Sequence, residues 1–397
     1  MSWSLVRLGD ICNFVRGPFG GALKKESFVE DGFAVYEQQH AIYNQFSDIR
    51  YYIDSDKFED LKRFELHAGD IIMSCSGTMG KVAVVPDGIK QGIINQALLK
   101  LTPNCNLDIA YFMHWLKSES FQFQLGLSSH GAAIKNVASV KVLKELEIPL
   151  PPLEEQKRIA AILDKADAVR QKRKQAIDLA DEFLRSVFLD MFGDPVTNPK
   201  GLSQVKLTEF ADVITGFAFK SAEYVEDDKA NVRLCRGANT LPGYFDWKDT
   251  AYWDSSKLSG IENYKINAGD VILAMDRPWI SSGLKVCVFP DNERDTYLVQ
   301  RVARMRPKNS LYTDYLYSSI LSKAFERHCC PTETTVPHIS PVELKNFSLL
   351  MPDEDLLKKY NNAVTTVRKS KSAMEAAWLE SNHIFESLSQ KAFSGQL

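Results

Sequence analysis

The chain reads as an α+β protein made from one pattern used twice: two mixed α/β globular units, each followed by a long helix, with a pseudo-twofold internal repeat. Three observations predict this. Ala68-Gly69-Asp70-Ile71-Ile72 returns about 200 residues later as Ala268-Gly269-Asp270-Val271-Ile272. Val6-Arg7-Leu8 returns as Val205-Lys206-Leu207, and Leu107 and Tyr111 return as Leu311 and Tyr315. The helical run from Glu154 to Phe192 returns, without a gap, as Asp355 to Phe393. So long a period is a domain plus a helix, not a solenoid unit.

Taken in order, the first unit spans residues 1–152. Ile71-Ile72-Met73 and Val82-Ala83-Val84-Val85 read as short strands, the second closed by Pro86-Asp87-Gly88. Ile109, Phe112, Met113, Leu116 and Phe121 mark a helix within 107–125. Pro149-Leu150-Pro151-Pro152 is a stiff, extended entry to the next element. Residues 153–197 form a spacer helix and linker; Glu154–Phe192 alone would run roughly 58 Å at 1.5 Å per residue. Its apolar positions, Ile159, Ile162, Ala166, Val169, Ala176, Ala180, Phe183 and Val187, keep a 3-4 spacing, and Arg173 interrupts them. Residues 198–352 repeat the globular unit and 353–397 the helix, with Tyr360, Ala363, Val367, Ser370, Met374, Ala377, Ser381, Ile384 and Leu388 in the same register. Helices this long need a partner along their length. An antiparallel coiled-coil pair is expected, because 194–206 is short for returning the chain along such a helix. The alternative is that each helix packs on its own globular unit.

Composition narrows the function classes. Of 397 residues, 45% are hydrophobic and 25% charged, ordinary for a globular protein, and the net charge of −3 neither implies nor excludes nucleic acid. No run of 18 or more apolar residues predicts a membrane span, and Met1–Arg7 lacks an export signal. Seven scattered cysteines, none in a C-x-x-C pair, point to a reducing cytoplasm rather than to a disulfide framework or a zinc site. Catalytic signatures are missing. Cys75–Val82 imitates a phosphate loop at Gly80-Lys81 but breaks it at both ends, and neither G-x-G-x-x-G, H-E-x-x-H nor G-x-S-x-G occurs. His114 lies in an apolar helical run and reads as core rather than as a ligand.

Two stretches carry a family resemblance. Ile148-Pro149-Leu150-Pro151-Pro152-Leu153-Glu154-Glu155-Gln156-Lys157-Arg158-Ile159 and Gly69-Asp70-Ile71-Ile72-Met73-Ser74-Cys75-Ser76-Gly77-Thr78-Met79-Gly80 resemble segments of the specificity subunits of Type I restriction–modification systems. The second half departs from the pattern, with Gly269–Pro278 and Leu350-Met351-Pro352-Asp353 in the corresponding places. The resemblance implies two target-recognition domains alternating with two spacer helices. It also implies a subunit without catalysis or cofactor of its own, reading a split sequence in double-stranded DNA. Two modification subunits, which bind S-adenosylmethionine, and restriction subunits are the implied partners. A coiled-coil scaffold with two protein-binding heads, and a self-sufficient DNA methyltransferase or nuclease, are the rival readings.

The two halves differ where readers of different sequences should differ. Ten residues separate Asp70 from Lys81, and fourteen separate Asp270 from Lys285. The candidates are Ser76, Thr78 and Lys81 in one loop, and Arg277 and Lys285 in the other. Arg277 suits guanine O6/N7 and Asp276 suits cytosine N4; a surface pair between Asp276 and Arg277 is the plain alternative. Lys135 and Asn136 in one half, and Thr334, Thr335 and His338 in the other, form a second candidate loop. Gln39 pairs by position with Arg236 and Asn239 as a third, and Lys24, Lys25 and Lys220 suit phosphates. For each of these an ordinary solvated surface residue is the alternative. Arg170–Lys174 either neutralises phosphate or flanks a coiled coil. Surplus apolar residues at Phe183, Phe188, Phe192, Trp378, Phe385 and Phe393 suggest contact with the modification subunits.

Overall fold

The structure is a computed structural model that describes residues 3–19, 21–127, 139–330 and 338–397. The chain divides into two compact units, residues 1–174 with 376–397, and residues 175–375. The division falls inside both long helices, Leu153–Phe192 and Glu354–Ser394. Each unit therefore holds a globular head and parts of both helices.

In the first unit, an antiparallel sheet has the order Cys12–Arg16, Leu98–Pro103, Ile71–Ser74, Val82–Val84. Ile71–Ser74 is buried along its whole length, which explains its continuous apolar run. Alternate side chains serve opposite faces. Ile71 and Met73 join a core with Tyr111 and Trp115, whereas Ile72 joins one with Tyr36, Ala83 and Ile94. A second sheet sets Phe33–Tyr36 antiparallel to Tyr52–Ile53 and parallel to Gly92–Ile94. Leu5–Arg7 pairs with Glu147–Pro149, and the buried Tyr111 hydroxyl donates to the Pro149 carbonyl at 2.6 Å, fastening that edge.

The second unit repeats this plan. Its sheet runs Ala211–Thr215, Val302–Pro307, Val271–Ala274, Val286–Val288, and Val232–Cys235 pairs parallel with Thr296–Leu298. Val271 and Leu273 face one core and Ile272 another. The Tyr315 hydroxyl donates to Leu350 at 2.5 Å, as Tyr111 does to Pro149.

The repeated Ala-Gly-Asp belongs to this framework. Gly69 and Gly269 adopt φ of +84° and +83°, where a side chain is strained. Asp70 Oδ2 accepts from His67 N at 2.9 Å and Asp270 Oδ2 from Asn267 N at 2.7 Å, closing the turn before each central strand. The two carboxylates differ in partner: Arg306 grips Asp270 through Nε at 2.9 Å and Nη2 at 2.8 Å, whereas Asp70 takes the Thr102 hydroxyl and lies 3.9 Å from Lys100 Nζ.

Within each unit the long helices are paired and docked on the head at once. In the first, Arg158 Nη2 donates to Leu397 O and Arg173 Nη1 to Ala377 O, so the partner number falls as the residue number rises and the helices are antiparallel. Ile159, Ala160, Leu163 and Ala392 enter the core that holds Tyr111. In the second unit Asp181 meets Lys371 at 2.6 Å and Phe188 meets Tyr360, with the same polarity. The expected seam is partly corrected. Val169, Phe183, Ser370, Met374 and Ile384 are exposed, whereas Leu163, Ile177, Phe188, Phe192, Val364 and Ala392 are buried. The heptad spacing persists, since Leu163 and Ile177 lie two heptads apart and Val364 and Ala392 four, but the buried line runs one residue to the side of the expected one. Arg173, which interrupts the apolar spacing, is accommodated there by a backbone carbonyl. The first helix ends at Gly193, whose φ is +83°, and Lys200 Nζ caps the released carbonyls of Asp190 and Met191.

Candidate nucleic-acid interface

In the first head the loop after Ile71–Ser74 is compact and carries one charged residue, Lys81. Ser74 Oγ donates to Thr78 O at 2.6 Å and accepts from Lys81 N at 3.0 Å. Gly77 and Gly80 take positive φ, and a Cβ on Gly80 would meet Leu125 at 2.9 Å. Ser76 Oγ donates to Gln38 Oε1 at 3.3 Å, which brings this loop against the Gln38–Tyr43 helix. Thr78 and Lys81 are exposed, with no side-chain partner among the described residues. Gln39 is half-buried and reaches the Asp48 carbonyl at 3.3 Å. Its neighbour His40 is a brace: buried, with Nε2 3.0 Å from Asp48 O and Nδ1 accepting from Glu37 N. Lys24 and Lys25 are exposed and make no ion pair among the described residues.

Sequence reasoning missed the Arg16–Phe19 pair. Phe19 is 66% exposed, with the Arg16 guanidinium 5.6 Å from its ring centre. The Arg16 charge also lies near the Cys75 thiol at the root of the loop, where it opposes the pKa rise that burial causes. The available signal was a bulky aromatic at the end of a strand, where the second half has Ala218.

The second head's loop is longer and charged. It carries a two-strand hairpin, Trp279–Ile280 with Gly283–Leu284. Asp276 pairs with Arg301 at 2.7 Å and with His338 at 2.5 Å, not with Arg277. Arg277 is exposed, adopts φ +45°, and has no side-chain partner among the described residues. Lys285 is half-buried; burial lowers its pKa and the nearby Asp276 charge opposes the shift. A Cβ on Gly237 would lie 3.9 Å from Lys285 Nζ, so the 236–239 turn sits beside the loop.

That turn revises the expected role of Asn239. It is 1% exposed, its Nδ2 donates to Asp246 O at 3.0 Å and Asp249 O at 2.8 Å, and its Oδ1 accepts from Arg236 N at 3.1 Å. With these groups engaged, it holds a loop rather than facing a base. Arg236 is likewise tied, to Asp249 at 3.2 Å. Lys220 is exposed, 3.7 Å from Glu223. Lys135, Asn136, Thr334 and Thr335 lie outside the described residues.

The helix candidates also need correction. Phe188 and Phe192 are core residues, packed with Tyr315 and Tyr360, so neither offers a contact surface. Phe385 and Phe393 are half-buried against the first head, Phe393 at 5.4 Å from Tyr111. Trp378 lies under Lys174 Nζ at 5.8 Å. Phe183 stays 56% exposed. The basic run is largely absorbed by helix packing: Arg170 stacks 4.5 Å from the Phe385 ring centre and Arg173 reaches Ala377. His114 pairs with Asp164 at 2.8 Å. The buried thiols are not poised for chemistry; desolvation pushes Cys75 up to about 11 and Cys235 and Cys329 to about 12.

Residues 1–179 match the family model for the Type I restriction modification DNA specificity domain. The chain is 26% identical to the Type I restriction enzyme MjaVIII specificity subunit of Methanocaldococcus jannaschii, over 94% of this chain and 90% of that protein. Residues 1–179 thus carry a Type I DNA specificity domain, and over 94% of its length the chain is similar to a Type I specificity subunit. The chain is also 26% identical to the EcoAI specificity subunit of Escherichia coli, over 77% of its own length and 52% of the relative's. Its fold matches a chain from a structure of a type I system described for complex assembly and conformational transition. That match has a TM-score of 0.58 and 19% identity, and covers 100% of this chain and 98% of that one. The S subunit from M. genitalium matches at a TM-score of 0.52 and 16% identity, covering 98% of this chain and 96% of that one. As a specificity subunit, the chain is a non-catalytic component of a type I complex. No helix among the described residues is long and apolar enough to cross a membrane.

Proposed function

We propose that the subunit reads a bipartite, asymmetric site in duplex DNA, one head per half-site, and assembles two modification subunits and the restriction subunits around it. One observation carries this reading. The two heads share strand order and register, yet the loop leaving the central strand is short in one, with Lys81 as its one charged residue, and longer in the other, with Asp276, Arg277 and Lys285. Frameworks alike with loops unlike suit two ligands of one kind and different sequence. Arg277 is the leading base reader, with geometry suited to guanine O6/N7; Lys24, Lys25 and Lys81 suit phosphates. The paired long helices suit a spacer that sets the gap between half-sites. The exposed apolar residues Leu179 and Phe183 on one helix, and Leu379 and Ile384 on the other, suit contact with the modification subunits.

The decisive measurement is adenine-methylation mapping of DNA from cells carrying the modification subunit, with and without this chain. Two short methylated runs at a constant separation are expected only when it is present. A methylation pattern that does not depend on the chain would favour a protein scaffold. Methylation or cleavage by the purified chain alone would favour a self-sufficient enzyme. Adding one turn to both long helices should widen the unread gap by about two base pairs, since a turn rises about 5.4 Å.

A further inference from the structure

We infer that Asp276 is a positioning residue for base reading by the second head, and that it acts through Arg277. This rests on Arg277 being the base reader. The heads correspond position by position here: Cys75, Ser76 and Gly77 in one, Met275, Asp276 and Arg277 in the other. Gly77 has φ +63° and Arg277 has φ +45°. The backbone thus makes the same left-handed step in both heads, with glycine where the conformation is free and arginine where it is strained. Strain of this kind persists only where the surroundings over-determine the conformation.

The surroundings do so. Three backbone segments join at this point: Met275 N donates to Arg301 O at 2.9 Å, Ile339 N donates to Met275 O at 2.9 Å, and Asp276 bridges His338. The Asp276 carboxylate repeats the join with side chains. Its Oδ1 takes His338 Nδ1 at 2.5 Å and its Oδ2 takes Arg301 Nη1 at 2.7 Å. On the other side of Arg277 the Pro278 carbonyl accepts from Lys285 N at 2.7 Å. The Arg277 backbone is held on both flanks while its guanidinium has no partner among the described residues. Asp276 and Arg301 are solvent-accessible, 36% and 73%, and ion pairs so placed add little to folding. What the carboxylate does add is a set direction for Arg277. It engages Arg301 and His338 and leaves Arg277 out, so a longer loop gains an arginine at a defined place with no side-chain partner among the described residues.

The test uses the subunit assembled with its modification partners, on duplexes carrying every single base-pair change in both half-sites. R277G removes the side chain and relieves the backbone. It should lose roughly five- to 150-fold discrimination at one base pair of the second half-site, leaving the first unchanged. D276A should lose discrimination at that same base pair, and R277G/D276A should be no worse than R277G alone. R301A and H338A each remove one arm and should show smaller losses at the same base pair; they carry the test if D276A fails to assemble. If R277G leaves every base pair of the second half-site discriminated as before, Arg277 is not the reader and the inference falls with it. If R277G has its effect but the loss in D276A, or in the single-arm variants, spreads across the half-site or adds to that of R277G, Asp276 is merely structural and only the inference falls.

Discussion

The loop after the central strand is closed by neutral groups in the first head and by charges in the second. Ser74 and two left-handed glycines fold residues 75–81 onto themselves. Asp276 holds the longer loop through Arg301 and His338, and Arg277 has no side-chain partner among the described residues. The same difference recurs one layer down, where Asp70 takes a threonine hydroxyl and Asp270 a bidentate arginine. Duplication preserved the strands, whose burial tolerates little change, and left the polar fittings around them to diverge. The second head depends more on charge, both for stability and in the surface it offers.

Four experiments would break or sharpen this contrast. The largest effect is expected from Phe188→Asp, which puts a carboxylate among Tyr315, Tyr360 and Phe192. It should cost more than about 4 kcal/mol and unfold the second unit selectively, as differential protease sensitivity of the two units would reveal. Phe183→Asp, on the exposed side of the same helix, should leave unfolding within about 0.5 kcal/mol of the parent and weaken only co-purification with the modification subunit. Equal destabilisation by both would deny the burial difference.

Next comes Asp270→Ala, which strips the acid from Arg306 and the buried Arg304. About 3 kcal/mol is expected, because orphaned buried charge is costly and Arg306 is only partly buried. Asp70→Ala leaves Lys100 still donating to the Glu65 carbonyl and should cost less, about 1–3 kcal/mol. Denaturant unfolding followed by a probe in each unit would rank the two; the reverse order would overturn the claim that the second head relies more on charge. The smallest effect is expected from Lys24→Ala and Lys25→Ala in the first head. Each should flatten the slope of log affinity against log salt by about 1, equally for specific and nonspecific DNA. A change in base preference in either variant would move that lysine from phosphate contact to readout.

Much of the fold was legible. Buried central strands show as apolar runs, the turn before each as Ala-Gly-Asp, and the duplication as a constant offset. Antiparallel pairing of the helices followed from a linker too short to return the chain. The helix faces were not legible to the same degree. Phe188 and Phe192 looked like surplus on a two-helix seam because no periodicity rule knows that a head packs on the helix as well. Arg170 and Arg173 looked like a charged flank, but arginine can lay its stem and guanidinium along aromatic and carbonyl groups in a packed interface.

The interface divides in the same way. That the loops after residues 74 and 274 differ is a property of the sequence, visible in their lengths and charges. Which of their polar residues remain available is not, because a side chain's freedom depends on what lies across from it. Asn239 and Arg277 are both polar residues in turns. Carbonyls from Asp246 and Asp249 consume one, whereas Asp276 draws Arg301 and His338 to itself and leaves the other without a partner among the described residues. Local chemistry and periodicity specify elements and their repetition; hydrogen-bond satisfaction between segments distant in sequence decides which groups are left to bind, and that accounting closes only in three dimensions.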